Sequence, residues 1–184
     1  MRKNVLVIAA HPDDEILGCG GVMAKHVENG DNVKVLILCE GITSRKGRTL
    51  TEFDKKEMEN LYSSAKRAQE AIGYKELEIL KFPDNRLDSI NLLDIVKEIE
   101  KYLSKNNINI VYTHSESDIN IDHQIIYEAT ITACRPVPES RIERIMSYEV
   151  ASSTEWRPAN GGKKVQFSPN MFVDIERYWV KKYK

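Results

Sequence analysis

Short apolar runs and helically spaced apolar repeats alternate along the chain, and that alternation predicts its elements. Val5–Ile8 is a β-branched run that stops at a packet of charge, and a helical pattern follows from about Gly21 to Glu28. Asn29, Gly30 and Asp31 make a turn. Val33–Leu38 (VKVLIL) is almost continuously apolar, as a strand covered on both faces of a parallel sheet must be. Thr51–Ile72 reads as a long amphipathic helix closed by Gly73, and Leu77–Leu80 as a short third strand. Leu92, Leu93, Ile95, Val96, Ile99 and Leu103 recur at helical spacing, and Ile108–Thr113 forms a fourth strand. A helix over Gln124–Cys134, capped by Asp122 or a neighbour, is stopped by Arg135-Pro136. Ile145–Val150 is the fifth strand candidate. A loop with Pro158, Gly161 and Gly162 then leads to Met171–Ile175 and a basic aromatic helix or tail, Glu176–Lys184.

Strand and helix alternating four times predict an α/β fold: a Rossmann-like, doubly wound, mostly parallel sheet flanked by helices. Right-handed crossovers give a strand order of about 3-2-1-4-5, with the whole chain, 1–184, as one domain. In that order strands 1 and 4 are neighbours, and the crevice between them is the place where such sheets bind ligands.

Composition narrows the function by exclusion. A formal net charge of −1 gives no electrostatic reason to expect nucleic acid or an anionic membrane as partner. Cys19, Cys39 and Cys134 are odd in number and lack CxxC spacing, so they read as reduced, buried small residues. No run approaches the roughly 20 apolar residues of a membrane span. Val5–Ala10 is too short for a signal-peptide core, and Asp13–Glu15 interrupts it, so a cytoplasmic location is expected.

The chemistry sits where strand 1 ends, in AHPDDEILGCGG. His11, Asp13, Asp14 and Glu15 crowd onto the carboxyl end of a buried strand. Glu15 is explained by the positive end of a helix dipole, but an imidazole and two further carboxylates are not. His11 and Asp14, three residues apart on a turn entering a helix, suit zinc or iron(II) rather than calcium. A third ligand is needed, and the loop after strand 4 carries Asp118, Asn120, Asp122 and His123 across the switch point. His123 completes the set.

A metal held by His11, Asp14 and His123 keeps open positions for water. Amide hydrolysis also needs a base for the water and an acid for the departing amine. Asp13, beside a ligand, is the base candidate, against a competing role as helix cap. Arg45 and Arg86 lie on loops at the same sheet edge and are substrate-binding candidates, against ordinary solvated cations.

HPDDE followed by a distant DH opening a helix resembles the PIG-L/LmbE-like de-N-acetylases, from Val5 to at least Glu149. The resemblance implies one zinc ion per chain on His11, Asp14 and His123, with Asp13 as general base. It implies removal of acetyl from an N-acetylglucosamine-type glycoside, glycolipid or nucleotide sugar. Many relatives carry a catalytic histidine three residues before the last ligand, where this chain has Asn120. His114 and Asp118 are then the candidates for the acid, His114 serving equally well as a partner orienting a ligand. The stretch SDINIDHQIIYEATITACRP resembles a branch tied to bacterial surface-glycan gene clusters. Relatives usually run further than Lys184, so another subunit of a homo-oligomer is a candidate to complete the pocket.

Three other readings compete. Two histidines and a carboxylate also make the facial triad of iron(II) oxygenases, although those favour β-rich scaffolds. A phosphate cradle is weak, because GCGG lacks GxGxxG spacing and its carboxylates would repel phosphate. A metal-binding relative without catalysis is the alternative that Asn120 keeps open.

Overall fold

A computed structural model describes residues 2–45, 50–158 and 166–183. Its centre is a five-stranded, wholly parallel sheet in the order β3-β2-β1-β4-β5. The strands are β1 (Asn4–Ala9), β2 (Asn32–Cys39), β3 (Glu76–Phe82), β4 (Ile110–Thr113) and β5 (Arg144–Ser147). Between them run α1 (Asp14–Glu28), α2 (Glu52–Ile72), α3 (Leu92–Lys105) and α4 (Ile121–Ala133), and α5 (Trp179–Tyr183) comes last.

Side-chain alternation along the strands divides the core in two. Val5, Val7 and Ala9 join Val33, Val35 and Ile37 under Met23 and Ala24 of α1 and Ile72 of α2. Leu6, Ile8 and Ala10 point the other way, with Leu36 and Leu38, against Ile95 and Ile99 of α3 and Ile126 of α4. Both faces of β1 are therefore buried, which is why its sequence is apolar without interruption. Truncating a fully buried side chain such as Ile8 or Ile99 would cost about 2–5 kcal/mol.

The helix ends follow local chemistry. Thr51 and Asp54 form a reciprocal capping box at the start of α2, and Gly73 ends that helix at φ +91°. Asn120, not Asp122, caps α4: its Oδ1 accepts from the Asp122 N–H at 2.9 Å. The Asp122 side chain is committed elsewhere, in the site described below.

The first helix differs from its expected start at about Gly21. It begins at Asp14 and takes in Gly18, Gly20 and Gly21. The glycines are there for packing. A Cβ on Gly21 would lie 2.6 Å from Ile175 Cδ1, and one on Gly18 would enter the Tyr148 ring. The low helix propensity of glycine is outweighed because the segments after β5 must lie directly on α1. β5 is shorter than its apolar pattern suggests, since Tyr148 and Val150 leave the strand and pack as core side chains.

Candidate active site

Because all five strands run the same way, their following loops converge on one edge. There they line a cavity of about 360 Å³ containing His11, Asp13, Asp14, Arg45, Asp84, Asn120, His123 and Trp156. Cavities of about 370 and 420 Å³ lie elsewhere, but neither has a histidine in its lining.

His11 is held on both sides of its ring. Nδ1 lies 3.1 Å from Asp14 Oδ2, and Nε2 lies 3.1 Å from Asp84 Oδ1 and 3.2 Å from Asp122 Oδ2. The carboxylates behind it are themselves fixed. Asp122 accepts the backbone N–H groups of Asn85 at 2.7 Å and Leu87 at 3.0 Å, and the Ser44 hydroxyl donates to Asp84 at 2.5 Å. Burial opposes protonation of His11, but Asp122, Asp14 and Asp84 together outweigh it and raise its pKa to about 12.

His123 enters from the first turn of α4. Its Nδ1 lies 3.0 Å from Asp118 Oδ2, and Nε2 lies 3.1 Å from Asp14 Oδ2. Burial again opposes the charge, and Asp118 and Asp14 overcome it, raising the pKa to about 9. Asp14 is buried too, yet its contacts with His11 and His123 hold its carboxyl well below the usual range.

The ring nitrogen of His123 that faces Asp14 has no hydrogen-bond partner among the described residues. His123 Nε2 is buried and close to Asp14 Oδ2, but the two groups lack hydrogen-bond geometry. Ligand atoms of His11, Asp14 and His123 all fall within 4.8 Å of one another. Two imidazole nitrogens and a carboxylate oxygen turned to one point fit a divalent cation. His11, Cys39 and Asp122 also converge. That second group is closed, with Cys39 and Asp122 fully buried, Asp122 occupied by backbone donors, and the thiol pKa pushed up by burial. It lies behind His11, where it orients the ring rather than facing a substrate.

Asp13 occupies the N-cap position of α1, but its side chain makes no capping hydrogen bond. It is exposed to the cavity instead, and partial burial, reinforced by the neighbouring charge of Asp14, raises its pKa.

The remaining candidates fall into two groups. Arg45 and Asn120 line the cavity, Asn120 also serving as the cap of α4; Arg86 is exposed and outside the lining. Lys46 and Arg48, the other cations of the Arg45 loop, lie outside the described residues. His114 and Asp118 are fully buried and outside the lining as well. The His114 ring stacks on His123 at 3.8 Å between centroids, and its Nε2 accepts the Ala10 N–H at 2.8 Å. Burial, then the charge on His123, pushes its pKa well down, so it is a neutral ring packed behind His123. Asp118 accepts from the hydroxyls of Ser153 at 2.8 Å and Thr154 at 2.6 Å and from the Asn120 N–H at 2.8 Å. Burial opposes its ionisation, but His123 and Thr154 bring its pKa down to about 2. Neither is exposed to the cavity. Both fit the orienting role that the sequence left open for His114.

Glu15 lies in the first turn of α1, as the dipole argument expects, but it does not face solvent. It is buried, its Oε2 lacks a partner among the described residues, and burial with the charges of Asp14 and Asp13 raises its pKa to about 8.

A model of the PIG-L family, described as GlcNAc-PI de-N-acetylase, matches residues 6–134. The chain belongs to the PIG-L family. The match spans β1 to the end of α4, and so includes every residue of the triad. Among PIG-L relatives, the chain is 27% identical to the uncharacterized deacetylase YaiS of Escherichia coli, over 98% of this chain and 87% of that protein. It is 29% identical to a probable N-acetyl-alpha-D-glucosaminyl L-malate deacetylase 2 of Bacillus cereus, over 82% of this chain and 69% of the other. The fold also resembles GalB, a 4-carboxy-2-hydroxymuconate hydratase of Pseudomonas putida, with a TM-score of 0.73 and 22% identity over 98% of this chain and 76% of that one.

Sequence reasoning passed over several residues that shape this PIG-L site. Asp84 lies two residues before Arg86, on the same loop at the sheet edge, but only Arg86 was singled out there. Ser153, Thr154 and Trp156 carry no local signal. They lie in an irregular stretch after β5, and only the tertiary fold brings them to the sheet edge.

Proposed function

We propose that the chain is a metal-dependent hydrolase that removes the N-acetyl group from an amino-sugar substrate of the N-acetylglucosamine type. The observation carrying this reading is the convergence of His11, Asp14 and His123, with His123 Nε2 left without a hydrogen-bond partner among the described residues, beside a non-capping Asp13 in one open cavity. Zinc suits the two nitrogens and one oxygen, with iron(II) the alternative ion. Bound there, the ion would act as a Lewis acid, acidifying water and polarising the acetamide carbonyl.

The chain's own groups do the rest. Asp13 takes the proton from the attacking water and delivers it to the departing nitrogen. One carboxylate thereby serves as base and then as acid, since no separate acid faces the cavity from the position of Asn120. The carbon–nitrogen bond breaks, leaving acetate and a free amine. Asp118 and the pair Asp84 and Asp122 keep the two imidazoles turned inward. Arg45 and Asn120 are placed to contact hydroxyls or an anionic group of the substrate. The likeness to the surface-glycan branch supports a substrate from bacterial surface-glycan synthesis.

The test is acetate release from N-acetylated amino-sugar glycosides and nucleotide sugars by the zinc-loaded protein. Release of acetate with an equal amount of free amine supports the reading. A metal-loaded protein that leaves every N-acetyl sugar intact contradicts it, and would return attention to hydration chemistry of the GalB kind or to metal binding without catalysis.

A further inference from the structure

The cavity is almost entirely polar, with one exception that the hydrolytic chemistry does not use. Trp156 stands in its lining with 65% of its surface exposed, and Ile119, 42% exposed, is the other large apolar side chain there.

The segment carrying Trp156 is not a loose loop. Ser153 and Thr154 are buried and donate to Asp118, and Thr154 Oγ1 accepts the Val150 N–H at 2.8 Å. On its other side the Arg157 guanidinium donates to the backbone carbonyls of Ser117 and Asp118. The backbone carrying the indole is therefore held between two anchors, one on the Asp118 carboxylate that orients His123 and the other on the backbone of Ser117 and Asp118. A backbone held in this way keeps Trp156 in the cavity lining and limits the freedom that segment loses when a ligand lands on it.

We infer that Trp156 is the sugar-binding platform of this site, stacking on the apolar C–H face of a pyranose ring whose acetamido group points to His11, Asp14 and His123. The inference rests on the proposed deacetylase reading and adds to it that the substrate is recognised as a closed ring. The aromatic face carries partial negative charge that attracts polarised C–H groups, whereas an acyclic N-acetyl amine offers no such face. The 153–157 segment is then a specificity element, and Asp118 couples it to the metal-ligand histidine.

The chain has two tryptophans, so in a Trp179→Phe protein Trp156 is the sole indole fluorophore. Zinc-loaded Trp179→Phe protein would be titrated with methyl N-acetylglucosaminide and, separately, with N-acetylethanolamine. Acetate release would be followed in parallel. The expected result is a saturable change in Trp156 emission with the pyranoside and none with the acyclic amide. For activity, Trp156→Ala should raise KM for the pyranoside about tenfold with kcat little changed, and Trp156→Phe should recover most of the loss. Acetate release from the pyranoside without any Trp156 response overturns the platform while leaving the deacetylase reading intact. A Trp156 response without acetate release supports the platform and contradicts the deacetylase reading. If neither is seen, both fall.

Discussion

Asp118 Oδ2 lies 3.0 Å from His123 Nδ1, and this contact turns the opposite ring nitrogen toward Asp14 and the cavity. The same oxygen receives the Ser153 and Thr154 hydroxyls, so the ring is fixed by a carboxylate that is itself fixed. Asp118→Asn retains one oxygen acceptor but loses the charge. It should weaken metal affinity about 10- to 100-fold through the lost orientation of His123. Competition with a metal chelator measures this directly, and unchanged affinity would show that the contact orients nothing.

Protons and metal compete for the same nitrogens. With pKa values raised to about 12 for His11 and about 9 for His123, both rings are protonated in the metal-free protein at pH 7. Metal uptake there should release about two protons, and apparent affinity should rise about 100-fold per pH unit below pH 9. Calorimetry in buffers of different ionisation enthalpy counts the protons. A release near zero at pH 7 would contradict the carboxylate-held imidazolium pair.

The same shift sets the stability of the metal-free protein. The folded pKa of His123 lies above its ordinary value of 6.5. Its contribution is therefore fully present below pH 6.5 and lost as pH rises through about 9. Denaturant unfolding of metal-free protein at pH 6 and pH 9 should show lower stability at the higher pH, other titrations apart. His123→Gln, which does not titrate, should reduce that difference without abolishing it, because the raised pKa values of His11 and Glu15 act over the same range.

His114 separates two roles by a single substitution. Because its Nε2 accepts from the Ala10 N–H and the ring stacks on His123, His114→Gln retains an acceptor and part of the packing. Turnover should stay within about tenfold of the parent, whereas loss of a general acid costs about 10² to 10⁴. A drop of a hundredfold or more, with metal content and fold intact, would restore His114 as the acid.

Much of this was legible in the sequence because the governing patterns are local. β1 and β2 are apolar along most of their length because both faces are covered, and that pointed to a parallel sheet and put the HPDDE packet opposite the β4 loop. The meeting of His11, Asp14 and His123 followed from strand order alone. What escaped depends on tertiary contact. Gly18 and Gly21 look like a loop until Tyr148 and Ile175 are seen lying on α1. Asp118 looks like a spare acid until the Ser153 and Thr154 hydroxyls saturate it. Trp156 has no pattern around it, and its position comes only from the anchors on either side.

Asp13 carries the central claim. It stands at a helix N-cap without capping, and is assigned to the water and the departing amine. Asp13→Asn preserves size and an acceptor oxygen but carries no proton. If Asp13 were a cap, asparagine would serve as well and nothing would change. The measurement is turnover of an N-acetylated amino-sugar glycoside by Asp13→Asn and parent proteins at equal zinc occupancy. The expected result is unaltered zinc content with turnover lowered by about a hundredfold or more, at least roughly 3 kcal/mol of barrier. Near-parental turnover at full occupancy would contradict the assignment of Asp13 as the proton carrier of this site.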